Sequence, residues 1–432
     1  MSIAAKLRSP LETLLWRNQN GLRSNRSTNQ QILALKRLIE IAETKQNAQL
    51  LVVFIDFSKA FDSVAWVSIE AILRSYDVPD EMISAIMSLY RGAQAQVRTT
   101  DGTSEPFDLT VGVLQGDTLA LYLLLFILVM DYIILRNALK DESLGYLYSP
   151  SQGSTRLPHR YKPAKYITDL TYADDIGLLA SSFKNAQKML DEIEKWALTV
   201  GLRINRKKTE YMLFGNWSAD QPHQKLSLST GDIQIASDFK YLGCWIKSVE
   251  KNLSVRIAMA WDAVKRMRKV WNSDIERPLR ISLFRSTVET VLLYGAETWT
   301  LTQTLETKLD GTYTKLLGYI FQRHWSEHVT NVELYGDLPK LSTKLKQRKL
   351  TFAGHCYRAK DQFVSDLVFL QRPEERFYRG QQFKFTYEKS IIKDLGAYIG
   401  HTDAQYIAKD IADIQNNMND RDKWRGIVKR IV

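Results

Sequence analysis

Apolar positions up to about residue 250 follow two different spacings. Leu50–Ile55 is an unbroken apolar run rich in β-branched residues, which predicts a buried strand. Before it, apolar residues recur every third or fourth position from about Thr28 to Thr44, which predicts an amphipathic helix. Ser27 and Gln30 have the spacing of a capping box at the start of this helix. The mixture of strand and helix signals indicates an α+β domain.

Three shorter patterns add detail to this part of the chain. Ser63–Arg74 predicts a helix, and Leu226–Ile235 predicts a hairpin that turns at Gly231. The aromatic run Phe239–Ile246 predicts a strand.

Beyond about residue 250 the strand signals fade and long helical periodicities take over. They predict helices over Val255–Asn272, Pro278–Thr298, Leu305–Arg323 and Ser342–Arg358. We therefore expect three regions: a mixed α+β part over 1–250, a helical part over 251–360 and a second helical part over 361–432.

Three acids stand at the ends of predicted strands. Asp174 and Asp175 lie between apolar flanks that predict two short strands joined by a tight turn, and Asp56 directly follows the buried strand. Clustered carboxylates repel one another unless a positive group compensates them, and a divalent cation with oxygen ligands is the expected compensation. An isolated pair of aspartates is more often a solvated turn. The third acid favours one shared site.

Composition favours a polyanionic partner. The 432 residues include 59 Lys and Arg against 48 Asp and Glu, so the formal net charge is +11. Such a balance favours nucleic acid first and an acidic membrane second. Two cysteines, Cys244 and Cys356, exclude a disulfide scaffold and indicate a reducing, intracellular compartment. Met1–Leu15 lacks the apolar core of a secretory signal. Leu119–Met130 is too short to span a bilayer, so we expect a buried helix and no membrane partner.

Two groups of basic residues are candidates for phosphate contacts. Arg23 and Arg26 lie just ahead of the first predicted helix, a position that favours anions. Lys265, Arg266, Arg268, Lys269, Lys344, Arg348 and Lys349 recur on later predicted helices, where they predict a track along a phosphate backbone. For both groups the alternative is a solvated surface.

Several segments, taken in chain order, resemble the motifs of one family. They are 19–28, Phe54–Asp62, Gly112–Asp117, Tyr172–Asp175, Gly201–Thr209 and Phe239–Gly243, followed by 293–299 and 352–355. In the third of them two glycines bracket Gln115, so the backbone can approach a ligand closely. Together the segments resemble the reverse transcriptase of non-LTR (LINE-type) retrotransposons, most of all the RTE-like kind.

The resemblance implies a right-hand polymerase fold. Fingers and palm would occupy 1–250, a thumb-like helical region 251–360 and a C-terminal helical region 361–432. The implied activity is that of an RNA-directed DNA polymerase, which extends a DNA primer on an RNA template with dNTPs. Two Mg²⁺ ions, or Mn²⁺ in their place, would serve the nucleotidyl transfer. The endonuclease domain of such elements is missing from this chain, and a cytoplasmic ribonucleoprotein and/or the nucleus is the expected location.

The resemblance also assigns roles by position. Asp56, Asp174 and Asp175 are the expected catalytic residues and metal ligands. Phe61 is expected to pack where a ribose 2′-hydroxyl would lie, and so to favour deoxynucleotides. The other assignments are substrate contacts by Gln115, Gly116, Lys208, Arg23 and Arg26, and a primer grip formed by Tyr241, Leu242 and Gly243. Lys207 competes with Lys208 for the contact with pyrophosphate.

Two competing interpretations stay open. The chain begins just before the Arg23 loop, without the upstream fingers segment expected in the family, so a catalytically inactive nucleic-acid-binding remnant is the main alternative. His324, Glu327 and His328 fit the H-x-x-E-H spacing of a class of zinc proteases, although motifs of this length recur by chance. Two cysteines in the whole chain cannot build a zinc knuckle.

Overall fold

The chain folds into two compact units. The computed structural model describes residues 7, 10, 12–44, 48–113, 120–151, 162–217, 224–369, 386–399 and 408–431. The first unit comprises Met1–Gln31 and Leu38–Ser237, and the second comprises Ile32–Arg37 and Asp238–Val432. Mixed helix and strand fill the first unit and helices dominate the second.

A five-stranded sheet forms the centre of the first unit. The described strands are β1 Gln49–Ile55, β2 Gln94–Ala95, β3 Arg98–Thr99, β4 Gly102–Thr103, β5 Phe107–Asp108, β6 Tyr146–Ser149, β7 Lys165–Ile167, β8 Asp169–Tyr172, β9 Asp175–Ala180, β10 Glu210–Gly215, β11 Ser227–Leu228, β12 Gly231–Asp232, β13 Gln234–Ile235, β14 Lys240–Tyr241 and β15 Cys244–Trp245. The sheet order is β13-β10-β1-β9-β8. β1 runs antiparallel to both neighbours, and Leu50–Ile55 is buried throughout. A strand covered on both faces has no polar side, which explains its unbroken apolar run.

The helix Phe183–Thr199 packs on β1 and β9 of this sheet. Up to residue 237 the described helices are Thr28–Thr44, Ala60–Ser63, Trp66–Ser75, Asp80–Ser88, Ala120–Asp131 and Phe183–Thr199, with a π-helix at Tyr132–Ala138 and a 3-10 helix at Glu142–Leu144. Thr28–Thr44 has the predicted bounds, and the backbone N–H of Ser27 donates to Gln30 Oε1 at 2.7 Å, as in a capping box. The apolar run predicted as a buried helix is confirmed for Leu124–Met130, which is buried at every position.

The helix predicted over Ser63–Arg74 is interrupted. Val64 and Ala65 are extended and separate Ala60–Ser63 from Trp66–Ser75. The carbonyl of Val64 accepts from Gly112 N at 2.8 Å, and Ala65 N donates to the Val200 carbonyl at 3.0 Å. These tertiary hydrogen bonds replace the helical ones, and no local spacing predicts them.

Two hairpins also differ from the predicted pattern. The hairpin predicted over Leu226–Ile235 ends earlier, because β13 leaves it and pairs in parallel with β10. The strand predicted over Phe239–Ile246 is instead the tight hairpin β14–β15. Leu242 (φ 45°) and Gly243 (φ 79°) form its turn in the left-handed region, which reverses the chain.

The second unit is built from helices. Its described helices are Val249–Arg266, Arg268–Trp271, Arg277–Phe284, Thr290–Leu292, Gln303–Ile320, Asn331–Tyr335, Leu341–Arg358, Val364–Val368, Tyr387–Ile399, Ala408–Asn419 and Arg421–Lys429, with a π-helix at Arg285–Glu289 and 3-10 helices at Ala296–Thr298 and Trp325–Glu327. Trp271, Phe284 and Tyr313 lie in its core. In the described part of the chain, no helix has both the length and the apolarity needed to cross a membrane.

Gly295 lies between the helix Thr290–Leu292 and the 3-10 turn Ala296–Thr298, where the predicted Pro278–Thr298 helix is broken, and it provides a test of the packing. It has φ 71°, and a Cβ there would lie 2.5 Å from Cys244 Sγ. Gly295→Ala should therefore lower the free energy of unfolding by about 1–3 kcal/mol. Gly311, within Gln303–Ile320, has no atom within 4 Å of an added Cβ. Gly311→Ala is the matched control and should stabilise by about 0.5–1 kcal/mol. Denaturant unfolding measures both, and equal effects would contradict this account of Gly295.

Candidate active site

Two of the predicted acids face each other across the sheet. Ile55, the last residue of β1, pairs with Ile176 of β9. In an antiparallel pair the next residue of β1 lies opposite the preceding residue of β9, so Asp56 lies across from Asp175. Directly opposed residues point their side chains to the same face. The register therefore brings both carboxylates to one edge of the sheet.

The third acid occupies the turn between β8 and β9. Tyr172 pairs with Asp175, which leaves Ala173 and Asp174 as a two-residue loop. Ala173 has φ 54°, in the left-handed region that such tight hairpins require. The predicted hairpin with the acids at its turn is confirmed.

The surroundings of the acids disfavour their charged forms. Asp175 is exposed at its surface, but loss of hydration among its neighbours, followed by repulsion from Asp174 and Asp56, raises its pKa to about 6. Partial burial also raises the pKa of Asp174, with a smaller contribution from Asp56. Asp56 Oδ2 is buried and accepts no hydrogen bond from the described residues. Carboxylates that repel one another, with one oxygen that accepts no hydrogen bond, favour the binding of a cation.

The turn before β10 supports Asp56. Its backbone N–H donates to Thr209 Oγ1 at 3.2 Å, and its carbonyl accepts from Asn205 N at 2.7 Å. The ammonium of Lys208 lies 3.8 Å from Asp56 Oδ2, and the Lys208 side chain is 69% exposed. The contact is longer than a hydrogen bond, so this lysine can reach another anion. Thr209 is a supporting residue that the sequence pattern did not identify.

Phe61 lies on the short helix that follows Asp56. It is half-buried, and its ring stacks on Phe126 with 4.1 Å between centroids. Its carbonyl accepts from Val113 N at 2.6 Å, so the segment that begins the glycine-bracketed motif lies beside it. Gln115 and Gly116 themselves lie outside the described residues.

The two arginines ahead of the first helix are engaged within their own loop. The Arg23 side chain is 4% exposed, and its guanidinium donates to Glu12 Oε1 at 2.6 Å and to the Trp16 carbonyl at 2.6 Å. Arg26 donates to Asn20 Oδ1 at 3.0 Å. These contacts indicate that the two arginines hold the loop in place. They do not favour the predicted role, a contact with a phosphate.

The predicted primer-grip residues form the turn of β14–β15. Tyr241 is buried, while Leu242 and Gly243 make the turn itself. The Leu242 carbonyl accepts from Tyr294 Oη at 3.0 Å, and the Gly243 carbonyl accepts from Arg256 Nη2 at 2.6 Å. The guanidinium of Arg256 also lies over the Tyr294 ring, 4.3 Å from its centroid. The turn is therefore clamped from two sides.

The predicted phosphate track is wrong at Lys344, Arg348 and Lys349, whereas its other cations, Lys265, Arg266, Arg268 and Lys269, are exposed. Lys349 is buried, and its ammonium lies 2.5 Å from Asp394 Oδ2. Lys344 pairs with Glu289, and Arg348 pairs with Glu297. Carboxylates of the same unit thus neutralise these cations, and periodicity alone cannot distinguish such residues from solvated ones.

The zinc-protease interpretation is also wrong. The motif requires its two histidines one turn apart on an α-helix, whereas Trp325–Glu327 is a 3-10 turn and His328 has φ 48°. Glu327 accepts from the backbone N–H of His324 at 3.0 Å and from Arg323 at 3.1 Å. The residues serve a local turn.

Comparison with known proteins identifies the class. A family model described as reverse transcriptase (RNA-dependent DNA polymerase) matches residues 2–246. A transposon-derived protein of Caenorhabditis elegans is 30% identical over 217 residues, which span 48% of this chain and 77% of that protein. The Pol polyprotein of the type-2 retrotransposable element R2DM of Drosophila melanogaster is 28% identical over 243 residues, or 54% of this chain and 20% of the polyprotein. The R2 Pol polyprotein of Nasonia vitripennis is 29% identical over 49% of this chain and 20% of its own length.

These matches, with three acids at one sheet edge, define a nucleic-acid polymerase. The chain belongs to the reverse transcriptase family, in its non-LTR retrotransposon branch. Its architecture is the right-hand α+β palm followed by a helical region. The chain spans only a fifth of the Drosophila and Nasonia polyproteins. A telomerase structure from Candida tropicalis, in complex with a fragment of telomeric RNA, is 12% identical in sequence. The match covers 79% of this chain and 52% of the telomerase chain. Its TM-score of 0.34 is too low to support a conclusion.

The donor set fits a hard divalent cation, the kind of ion that reverse transcriptases use. Within the described residues, no group of three or more His, Cys, Asp and Glu side chains forms a ready cage for a metal. Mg²⁺ commonly takes one or two carboxylates and completes its shell with water and substrate phosphates. Asp56 and Asp175 lie opposite each other and could supply these carboxylates, and Asp56 Oδ2 accepts no hydrogen bond from the described residues.

The raised pKa of Asp175 predicts a pH-dependent stability. Because its pKa rises from the ordinary 3.8 to about 6, the folded state binds more protons than the unfolded state between these values. The free energy of unfolding should therefore fall as pH rises through that window. Asp175→Asn should raise the melting temperature in chelator above pH 6 and leave it unchanged below about pH 4.

The matched control is Asp101→Asn, which removes an exposed charge from the β3–β4 turn. Calorimetry in chelator measures both variants. If the melting temperatures of the two variants depend on pH in the same way, the charge of Asp175 does not destabilise the folded state more than an exposed aspartate does.

Proposed function

We propose that this chain is an RNA-directed DNA polymerase that extends a DNA primer on an RNA template from dNTPs. Asp56, Asp174 and Asp175 would hold two divalent cations, Mg²⁺ or Mn²⁺. One observation carries the proposal: the β1–β9 register opposes Asp56 to Asp175 and leaves Asp174 in the adjoining turn. Two ions shared between carboxylates of neighbouring elements are the arrangement that in-line phosphoryl transfer uses.

The protein residues would orient the reacting groups. When bound, the cations would make the primer 3′-hydroxyl a better nucleophile and stabilise the leaving phosphate oxygens. The loss of hydration and the mutual repulsion of the acids favour cation binding, because a nearby positive charge stabilises the charged carboxylates. Lys208, exposed and within 3.8 Å of Asp56 Oδ2, is suited to contact the leaving pyrophosphate.

Two further elements would set specificity and primer position. Phe61 presents a half-buried ring on the helix directly after Asp56, which suits a wall against a ribose 2′-hydroxyl. The Leu242–Gly243 turn, held by Arg256 and Tyr294, presents a fixed backbone that suits a contact with the primer strand.

Primer extension on an RNA template tests the proposal. Wild-type protein with Mg²⁺ should extend a DNA primer with dNTPs. Asp174→Asn and Asp175→Asn should each lower the rate by roughly 10³-fold or more, since metal stabilisation of the transition state amounts to several kcal/mol. Asp101→Asn should extend normally. Binding of primer–template without extension in either metal would instead identify a nucleic-acid-binding remnant.

The sugar preference of Phe61 is tested with matched dNTP and rNTP on one template. Phe61→Ala should raise the relative kcat/KM for the ribonucleotide by roughly 10-fold or more, since specificity follows differential transition-state binding. The control is Phe183→Ala, which also removes a ring that packs on aromatic neighbours. It should reduce stability without changing sugar preference. An unchanged preference in Phe61→Ala would make Phe61 a packing residue only.

A further inference from the structure

The loop Asn18–Gly21 lies against the turn that carries the acids. Gln19 is 2% exposed, and its Oε1 accepts from the backbone N–H of Ala173 at 2.9 Å. Its Nε2 donates to the Ala173 carbonyl at 3.4 Å. One side-chain amide thus satisfies both backbone polar groups of Ala173, as a neighbouring strand would.

Ala173 is the residue of this turn that needs support. It is buried and has φ 54°, a conformation that costs a non-glycine residue on the order of 1–2 kcal/mol. Such a conformation persists only where its surroundings fix it. Asp174 and Asp175 follow immediately, so the direction of both carboxylates depends on this backbone.

Gly21 permits the close approach of the loop. A Cβ at this position would overlap the backbone nitrogen of Ala173 and would lie 2.9 Å from Gln19 Oε1. Asn20 N donates to the Thr171 carbonyl at 2.9 Å, so the loop adds a short parallel pairing to β8. A side chain at residue 21 would therefore push the loop away from the turn.

The loop is itself anchored. Asp169 on β8 is fully buried and accepts from Trp16 Nε1 at 3.1 Å and Asn18 Nδ2 at 3.3 Å. Gln31 Nε2 donates to the carbonyls of Asn18 at 2.6 Å and of Thr171 at 2.8 Å. The Gln19 carbonyl accepts from Arg23 Nη1 at 3.1 Å. Gln19 is therefore held on a fixed backbone.

We propose that Gln19 is a positioning residue for the acids. It fixes the left-handed Ala173, and through it the placement of Asp174 and the pairing of Asp175 opposite Asp56. The effect on catalysis rests on the function proposed above, whereas the effect on the turn does not. Gln19 would act through this backbone and not by touching substrate or cation.

The test compares Gln19→Met, a near-isosteric change that removes the amide, with Gln187→Met. Gln187 is a matched control in the same unit, because its amide accepts from Ser227 N at 3.0 Å and donates to the Ser227 carbonyl at 2.8 Å. The measurements are hydrogen exchange at the Ala173 amide and melting temperature, both in chelator, then Mn²⁺ binding by electron paramagnetic resonance, and primer extension. Gln19→Met should exchange faster at Ala173 and lose about 10- to 100-fold in Mn²⁺ affinity and extension. Gln187→Met should change neither Mn²⁺ affinity nor exchange at Ala173.

Unchanged exchange at Ala173 and unchanged Mn²⁺ affinity in Gln19→Met would overturn the proposal. The proposal would also be overturned if primer extension fell in both variants only in proportion to the fall in melting temperature. If Gln19→Met does not fold, Gly21→Ala perturbs the same contact and is judged by the same criteria. A wild-type protein that neither binds Mn²⁺ nor extends primers overturns the proposed function instead, and exchange at Ala173 then decides the role of Gln19.

Discussion

The candidate site of the first unit depends on a scaffold that holds like charges side by side. Asp56 and Asp175 are cross-strand neighbours, and repulsion between such residues would separate them on a flexible scaffold. β1 prevents this because it is paired on both edges and buried along Leu50–Ile55. A slip of one residue would turn its whole apolar set to the other face. The apolar packing of the central strand thus sustains an electrostatic arrangement that is unfavourable until a cation binds.

The surrounding loops add a second constraint on the same edge. The turn at Asn205–Thr209 binds the backbone of Asp56, and the loop at Asn18–Gly21 binds the backbone of Ala173. Both act on main-chain groups and leave the carboxylates available. Such indirect support is how a site keeps its geometry when the ligands themselves repel.

The second unit shows why net charge is a poor guide to individual cations. The formal charge of +11 agrees with a nucleic-acid partner. Yet Lys344, Arg348 and Lys349 are paired with Glu289, Glu297 and Asp394. Burial of a lysine is tolerated only with such a partner, so these cations stabilise helix packing.

The sequence by itself determined the elements and the identity of the acids. Local spacing predicts β1, the helix Thr28–Thr44 and the β8–β9 hairpin because each follows from short-range apolar periodicity and turn chemistry. The order of motifs gave the family, which the family model over 2–246 confirms. Only the tertiary structure decided the rest. The break at Val64–Ala65 and the contact of Gln19 with Ala173 join residues far apart in the chain. Local patterns carry no information about such partners, because hydrogen bonds of this kind depend on which segments the fold brings together.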